Sequence, residues 1–161
     1  MSTSVIDFII SRIRSWGVTR VFGYPGDGAG AFDGALGRAE RAENGVEYIR
    51  PTHEEICSLM ATAHAKFTGD VGVCIATSSP GAFHFLNGLY DAQMDNQPVV
   101  AIVGQQGLNA LGTFSMQESN LERCSPMSRC TCRPSSPRSR RRRLSTPPSV
   151  PPSFDEALRS S

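Results

Sequence analysis

Four short runs rich in apolar and β-branched residues, at 18–22, 46–49, 71–76 and 99–103, alternate with segments of a dozen or so residues whose apolar positions recur at helical spacing. This alternation constrains the fold more than any other feature. Strands separated by helices of that length pair in parallel, through crossover connections, and the helices cover both faces of the sheet. The expected class is therefore α/β, a parallel sheet with helices on both faces. The first helix is expected from Val5, Ile6, Phe8, Ile9, Ile10, Ile13 and Trp16, with Gly17 as its stop. A second spans 31–42, weakened by Gly34 and Gly37. The third begins at Thr52-His53-Glu54-Glu55, which has the spacing of a capping box with Thr52 as cap and Glu55 as its partner. Ile56, Leu59, Met60, Ala63 and Phe67 are expected on its buried face, and Gly69 at its end. A fourth helix is expected over 83–94.

The alternation stops at residue 122. Residues 1–122 hold 7 Lys and Arg against 13 Asp and Glu, a net charge of −6, whereas 123–161 hold 9 against 2, a net charge of +7. Seven of the eleven prolines and the run from Arg140 to Arg143 lie in the second segment. Such a segment has too little apolar surface to offset the entropy of ordering its chain. The reading divides the chain into a partial domain, 1–122, and a disordered Arg/Ser/Pro-rich tail, 123–161. A shift of reading frame near codon 123 explains so abrupt a junction. The alternative is a basic tail that binds nucleic acid or an acidic surface, since clustered Arg favours phosphate without regard to sequence. Nucleic acid is the less favoured partner. Cys57 and Cys74 read as small core residues. The first 15 residues lack a secretory pattern, and no window approaches the roughly 18 apolar residues of a membrane span. A cytoplasmic protein that does not enter membranes is expected.

In parallel α/β sheets, ligands collect at the carboxyl ends of the strands, so the loops after Phe22, Ile49, Ala76 and Val103 are where chemistry is sought. Gly23-Tyr24-Pro25-Gly26-Asp27-Gly28 connects a strand to a helix and reads first as a tight turn. It matches a dinucleotide-binding loop only loosely, since Ala31 stands where the third glycine belongs. Glu54 lies in the first turn of a helix, where a carboxylate is electrostatically favoured, and at the carboxyl edge of the sheet. Thr77-Ser78-Ser79-Pro80-Gly81 places hydroxyls where a strand gives way to a helix, either as ordinary capping or as a turn that faces a ligand. His53 and His64 give no recognisable metal-ligand spacing with a third donor, and no metal ligand is assigned. Gln105, Gln106, Gln117 and Glu118 follow the last strand.

Taken in order, VFGYPGDG, then THEE some 30 residues on, then TSSPG, then NGLYDAQMDNQPVVAIVGQQ resemble the thiamine diphosphate-dependent enzymes of the pyruvate oxidase and acetolactate synthase group, over residues 5–122. His84, the stretch 87–92 and Asp95 are more similar to the pyruvate oxidase branch. The resemblance implies the N-terminal, pyrimidine-binding domain of an enzyme built from three α/β domains. The middle one often holds FAD, and the third holds diphosphate and Mg²⁺. It also implies a homodimer, or a partner chain that supplies the diphosphate domain, because such centres form between subunits. Glu54 aligns with the family's catalytic glutamate, which shares a proton with a ring nitrogen of the cofactor and so promotes the ylide that attacks a 2-keto acid such as pyruvate before decarboxylation. Tyr24, Pro25, Gly26, Thr77, Ser78, Pro80, Gly81 and Asn87 are implied at the cofactor, and Gln117 at the substrate. Lacking the other two domains, the chain is expected to be inactive alone, or to be a regulatory protein or small subunit completed by a partner.

Three positions depart from the family pattern. Thr52 stands where Arg is usual, Met116 replaces an aromatic residue, and Ser79 replaces the glycine of TSGPG. If that glycine has positive φ, Ser79 should strain the turn. The sequence Gly26-Asp27-Gly28 imitates the family's metal motif but belongs to the wrong domain.

Overall fold

The computed structural model describes residues 4–42 and 45–121; the tail, with the expectations attached to it, lies outside the described residues. Four parallel strands, β1 (Arg20–Gly23), β2 (Glu47–Ile49), β3 (Gly72–Ala76) and β4 (Val99–Val103), form one sheet in the order β2-β1-β3-β4. Phe22 pairs with Cys74, and Ile75 with Ile102. β3 is buried along its whole length. Its side chains alternate between faces, as the pleat requires. Val73 and Ile75 join Val21, Leu36, Ile10 and Ile13 in one core cluster, whereas Cys74 and Ala76 join Phe22, Cys57, Ala61 and Phe85 in the other.

The helices are α1 (Val5–Ser15), α2 (Gly30–Glu40), α3 (Glu54–Thr68), α4 (Pro80–His84) and α5 (Leu86–Met94), with a single 3₁₀ turn at Asp27–Ala29 before α2. The hydroxyl of Ser4 caps α1 by accepting from Asp7 N, and Gly69 ends α3 in the left-handed region. The helix expected over 83–94 instead starts at Pro80, where a proline costs nothing because the first helical N–H has no partner anyway. It breaks at the fully buried Phe85 into α4 and α5.

Two expectations for α3 are corrected. Its N-cap is His53, whose Nδ1 accepts from Glu55 N at 3.2 Å, not Thr52. The Glu55 carboxylate accepts from Asn87 Nδ2 at 2.6 Å and takes no part in a capping box. The buried face is the small-residue stripe Cys57, Ser58, Ala61, Thr62 and Ala65, while Ile56 and Leu59 are each 40% exposed and Phe67 is 90% exposed. Size decides this. α5 packs so close that a Cβ on Gly88 would stand 2.6 Å from Leu59 N, and only small side chains fit between helices at that distance. The buried Thr62 hydroxyl lies 2.9 Å from both Ser58 O and Gly88 O, so it ties the two helices together.

Cys57 and Cys74 are free and buried, as expected of small core residues. Burial, with the nearby charge of Glu54 adding to it, pushes the Cys57 thiol up to about 12, and burial raises Cys74 as well. Both shifts favour the protonated thiol in the folded state. Their contribution is full below the ordinary thiol value of 9.0 and is lost as pH rises from there toward 12. Tyr48 adds to the same trend, raised by burial and by its hydrogen bond to Asp33. Urea denaturation midpoints are therefore expected to hold steady up to about pH 9 and to fall above it. A Cys57→Ala, Cys74→Ala double variant should show a shallower fall.

Candidate functional site

The strand order places the connections that leave β1 and β3 on opposite faces of the sheet, α2 against one core cluster and α4 and α5 against the other. The chain leaves β1 toward β2, then returns across it to β3. At such a reversal α/β sheets commonly bind ligands, beyond the strand ends. Here that point lies between β1 and β3, where the loop 23–28 meets the turn 77–81. The two are packed backbone to side chain. Gly28 N donates to Thr77 Oγ1 at 3.1 Å, and a Cβ on Gly28 would come within 2.9 Å of Ser78 N. Gly26 lies as close to Thr77, with a hypothetical Cβ 2.7 Å from Thr77 Cβ. Of the residues expected at a cofactor, Tyr24 and Pro25 are exposed, Gly26 is half-buried, Thr77, Ser78 and Gly81 are buried, and Pro80 is on the exposed first turn of α4. Tyr24 N donates to Ile75 O, so the loop is held against β3.

Glu54 is the first residue of α3 and is only 9% exposed. Its burial follows from the cap. His53, extended in backbone and bonded to Glu55 N, turns the chain so that Glu54 points back toward α4. There His84 Nδ1 lies 3.1 Å from Glu54 Oε2, while a Cβ on Gly81 would stand 3.5 Å from Glu54 Oε1. The second imidazole, His53, has its Nε2 3.8 Å from Glu54 Oε2, and the two rings are 4.5 Å apart between centroids. Neither His53 nor His64 has a recognisable ligand spacing with a third donor along the sequence. The partner is His84, 30 positions after Glu54 and on another element, so no linear spacing signals it. His64 stacks near Phe22 instead. Asn87 is exposed and its amide is engaged by Glu55.

Ser79 has φ 38°, and the strain foreseen for a side chain at this position is present. Its hydroxyl makes no cap bond to α4. It donates instead to Gln117 O and lies 2.7 Å from Ser119 Oγ. Gln117 also has positive φ, 58°, and its Oε1 lies 3.4 Å from Ser78 Oγ. The loop after β4 is thereby brought over the turn after β3. A shallow cleft between them, with Gln105, Gln106, Gln117 and Glu118 in its lining, is separate from the Glu54 carboxylate. Ser79→Ala keeps the strain and loses the bonds, whereas Ser79→Gly loses the bonds and the strain together. The glycine variant is expected to be the more stable of the two by about 1 kcal/mol, the reverse of the ordinary ranking, as read from urea midpoints.

Residues 3–123 match the family model described as "Thiamine pyrophosphate enzyme, N-terminal TPP binding domain". A putative thiamine pyrophosphate-containing protein of Bacillus subtilis is 46% identical over 110 residues, which are 68% of this chain and 19% of that protein. The pyruvate oxidase of Lactiplantibacillus plantarum is 40% identical over 112 residues, 70% of this chain and 18% of that protein. The large subunit of acetolactate synthase isozyme 2 of Escherichia coli is 41% identical over 111 residues, 69% of this chain and 19% of that subunit. The chain thus spans about a fifth of the length of these curated relatives.

Proposed function

This chain belongs to the thiamine pyrophosphate enzyme family, as an N-terminal TPP-binding domain, and on that premise we propose that the edge of the sheet beyond β1 and β3, with Glu54 at its side, holds the aminopyrimidine of thiamine diphosphate for chemistry on 2-keto acids such as pyruvate. The observation that carries this reading is Glu54 itself. A carboxylate this buried, with one oxygen held by His84 and the other bordering a glycine backbone, is arranged to exchange a proton with a ligand, not with bulk water. The residues suit a flat heteroaromatic ring. Gly81 leaves free the space that a Cβ would take between Ala76, Thr77 and Glu54, at 3.0–3.5 Å from each.

Thiamine diphosphate, when bound, supplies a carbon nucleophile for the keto carbon and a sink for the electrons left when CO₂ departs. The work of this chain is positional. Glu54 holds a proton for a ring nitrogen. His84 fixes the Glu54 carboxylate. Tyr24, Pro25, Gly26, Thr77, Ser78, Pro80 and Gly81 line the ring's surroundings, with Asn87 nearby, and Gln117 meets substrate. Diphosphate and Mg²⁺ are held by a domain of a second subunit or of a partner chain. Exposed Ile56, Leu59 and Phe67 on α3 support such an association, since apolar side chains grouped on one helix face are a usual mark of a contact surface. No helix among the described residues is long and apolar enough to cross a membrane. The free thiols of Cys57 and Cys74, among the described residues, suit a reducing compartment, and we place the protein in the cytoplasm.

The test is a chimaera. Residues 5–121 replace the matching segment of the Lactiplantibacillus plantarum pyruvate oxidase, and thiamine diphosphate uptake with Mg²⁺ is measured by isothermal titration. Saturable uptake that depends on Glu54 is the expected result. A folded chimaera that takes up none would overturn the reading.

A further inference from the structure

We propose that His53, Glu54 and His84 form a binding site for a divalent transition ion of the Zn²⁺ type. The site shares Glu54 and His84 with the cofactor reading, and ion uptake is measured without the cofactor so that the two readings fail separately. The site rests on three donors from two elements whose ligand atoms all lie within 4.8 Å of one another. Two imidazoles and one carboxylate are a borderline donor set. It suits Zn²⁺ and its neighbours in the transition series, not Mg²⁺ or Ca²⁺, which take oxygen. The formal charge of the set, one negative carboxylate and two neutral rings, attracts a dication. Three protein ligands leave a fourth position open to water, and the half-exposed rings face solvent, so an ion has a path in.

Two features oppose the ion, and both are met locally. Zn–N bonds of about 2.0–2.1 Å require donors roughly 3.3 Å apart, so the cluster must contract. Glu54 and His84 are already at 3.1 Å, and the movement falls to His53, whose side chain is 44% exposed and is held by its bond from Glu55 N and its contact with the His84 ring. His53 Nδ1 accepts from Glu55 N, which leaves the ring proton on Nε2. Coordination through Nε2 moves that proton to Nδ1 and gives up the cap bond, and coordination through His84 Nδ1 requires the proton of that half-exposed ring on Nε2. The positive N-terminus of α3 also disfavours a cation, but Glu54 and Glu55 both lie in its first turn.

The full chain is titrated with Co²⁺ and followed by its visible d–d absorption, then back-titrated with Zn²⁺ and, separately, with Mg²⁺. The expected result is one Co²⁺ per chain, displaced by Zn²⁺ and untouched by equal Mg²⁺. Affinity should fall at least tenfold in His84→Ala and in Glu54→Gln. His84 is exposed, so His84→Ala keeps the fold, as circular dichroism would verify. Three outcomes would overturn the proposal: no Co²⁺ uptake, uptake unchanged in His84→Ala, or a near-ultraviolet thiolate-to-cobalt band, which would put the ion on cysteines.

Discussion

Replacing Glu54 by Gln in the chimaera is expected to lower pyruvate turnover by about a hundredfold or more while leaving the protein folded. The carboxylate and the carboxamide have nearly the same shape, and His84 Nδ1, 3.1 Å from Glu54 Oε2, can donate to an amide oxygen in the tautomer that carries its proton there. What Gln cannot do is take up and release a proton. General acid–base groups typically contribute about 10²–10⁴ in rate, so a loss in that range marks a proton-transfer role. A loss of only a few-fold, with thiamine diphosphate uptake intact, would reduce Glu54 to a buried structural acid. The cofactor titration of the same variant separates binding from chemistry: uptake should weaken by much less than turnover.

The second large effect concerns stability. Gly88→Val is expected to destabilise the fold by about 3 kcal/mol or more, enough to unfold a marginal domain. A Cβ at this position would meet Ser58 C at 2.5 Å and Leu59 N at 2.6 Å, and these are backbone atoms that cannot swing aside. The helices α3 and α5 would have to separate, which would break the contact from the Thr62 hydroxyl to Gly88 O and open the core around Cys57, Ala61 and Phe85. Urea unfolding followed by circular dichroism measures the shift. Gly34→Ala, on the open face of α2 where a Cβ would meet only the end of Arg38 at 3.6 Å, is the control and should not destabilise.

The sheet and its ligand edge were legible because they depend on hydropathy period. The runs at 46–49 and 99–103 fell within a residue of β2 and β4, and β3 appeared as the uninterrupted apolar run that a doubly covered parallel strand requires. The buried face of α3 was misread for a physical reason. Ile56, Leu59 and Phe67 have the helical spacing of a core stripe, but so do Cys57, Ser58, Ala61, Thr62 and Ala65. Hydropathy favours the first set, whereas the close approach of α5 admits only the second. The cap was misassigned because Thr is the commoner capping residue, while an imidazole nitrogen serves equally well as acceptor. Of the candidate site, Glu54 and the two loops stand out from motif order, and the structure brings them to one edge of the sheet. The His53–Glu54–His84 cluster does not stand out in this way, since it exists only once α4 has folded back over the start of α3.

The order of the strands also sets a schedule for folding. β1 lies between β2 and β3, yet its partner on the β3 side is made 52 positions later, Phe22 against Cys74. At ribosomal rates of about 5–20 residues per second, β1 waits several seconds for that neighbour. During that interval β1 can pair only with the three-residue β2, once 47–49 are made, and Phe22 lacks Cys74 and Phe85 of the cluster that later encloses it. The seam where a cofactor is proposed to sit is thus also the last of this sheet to close on β1.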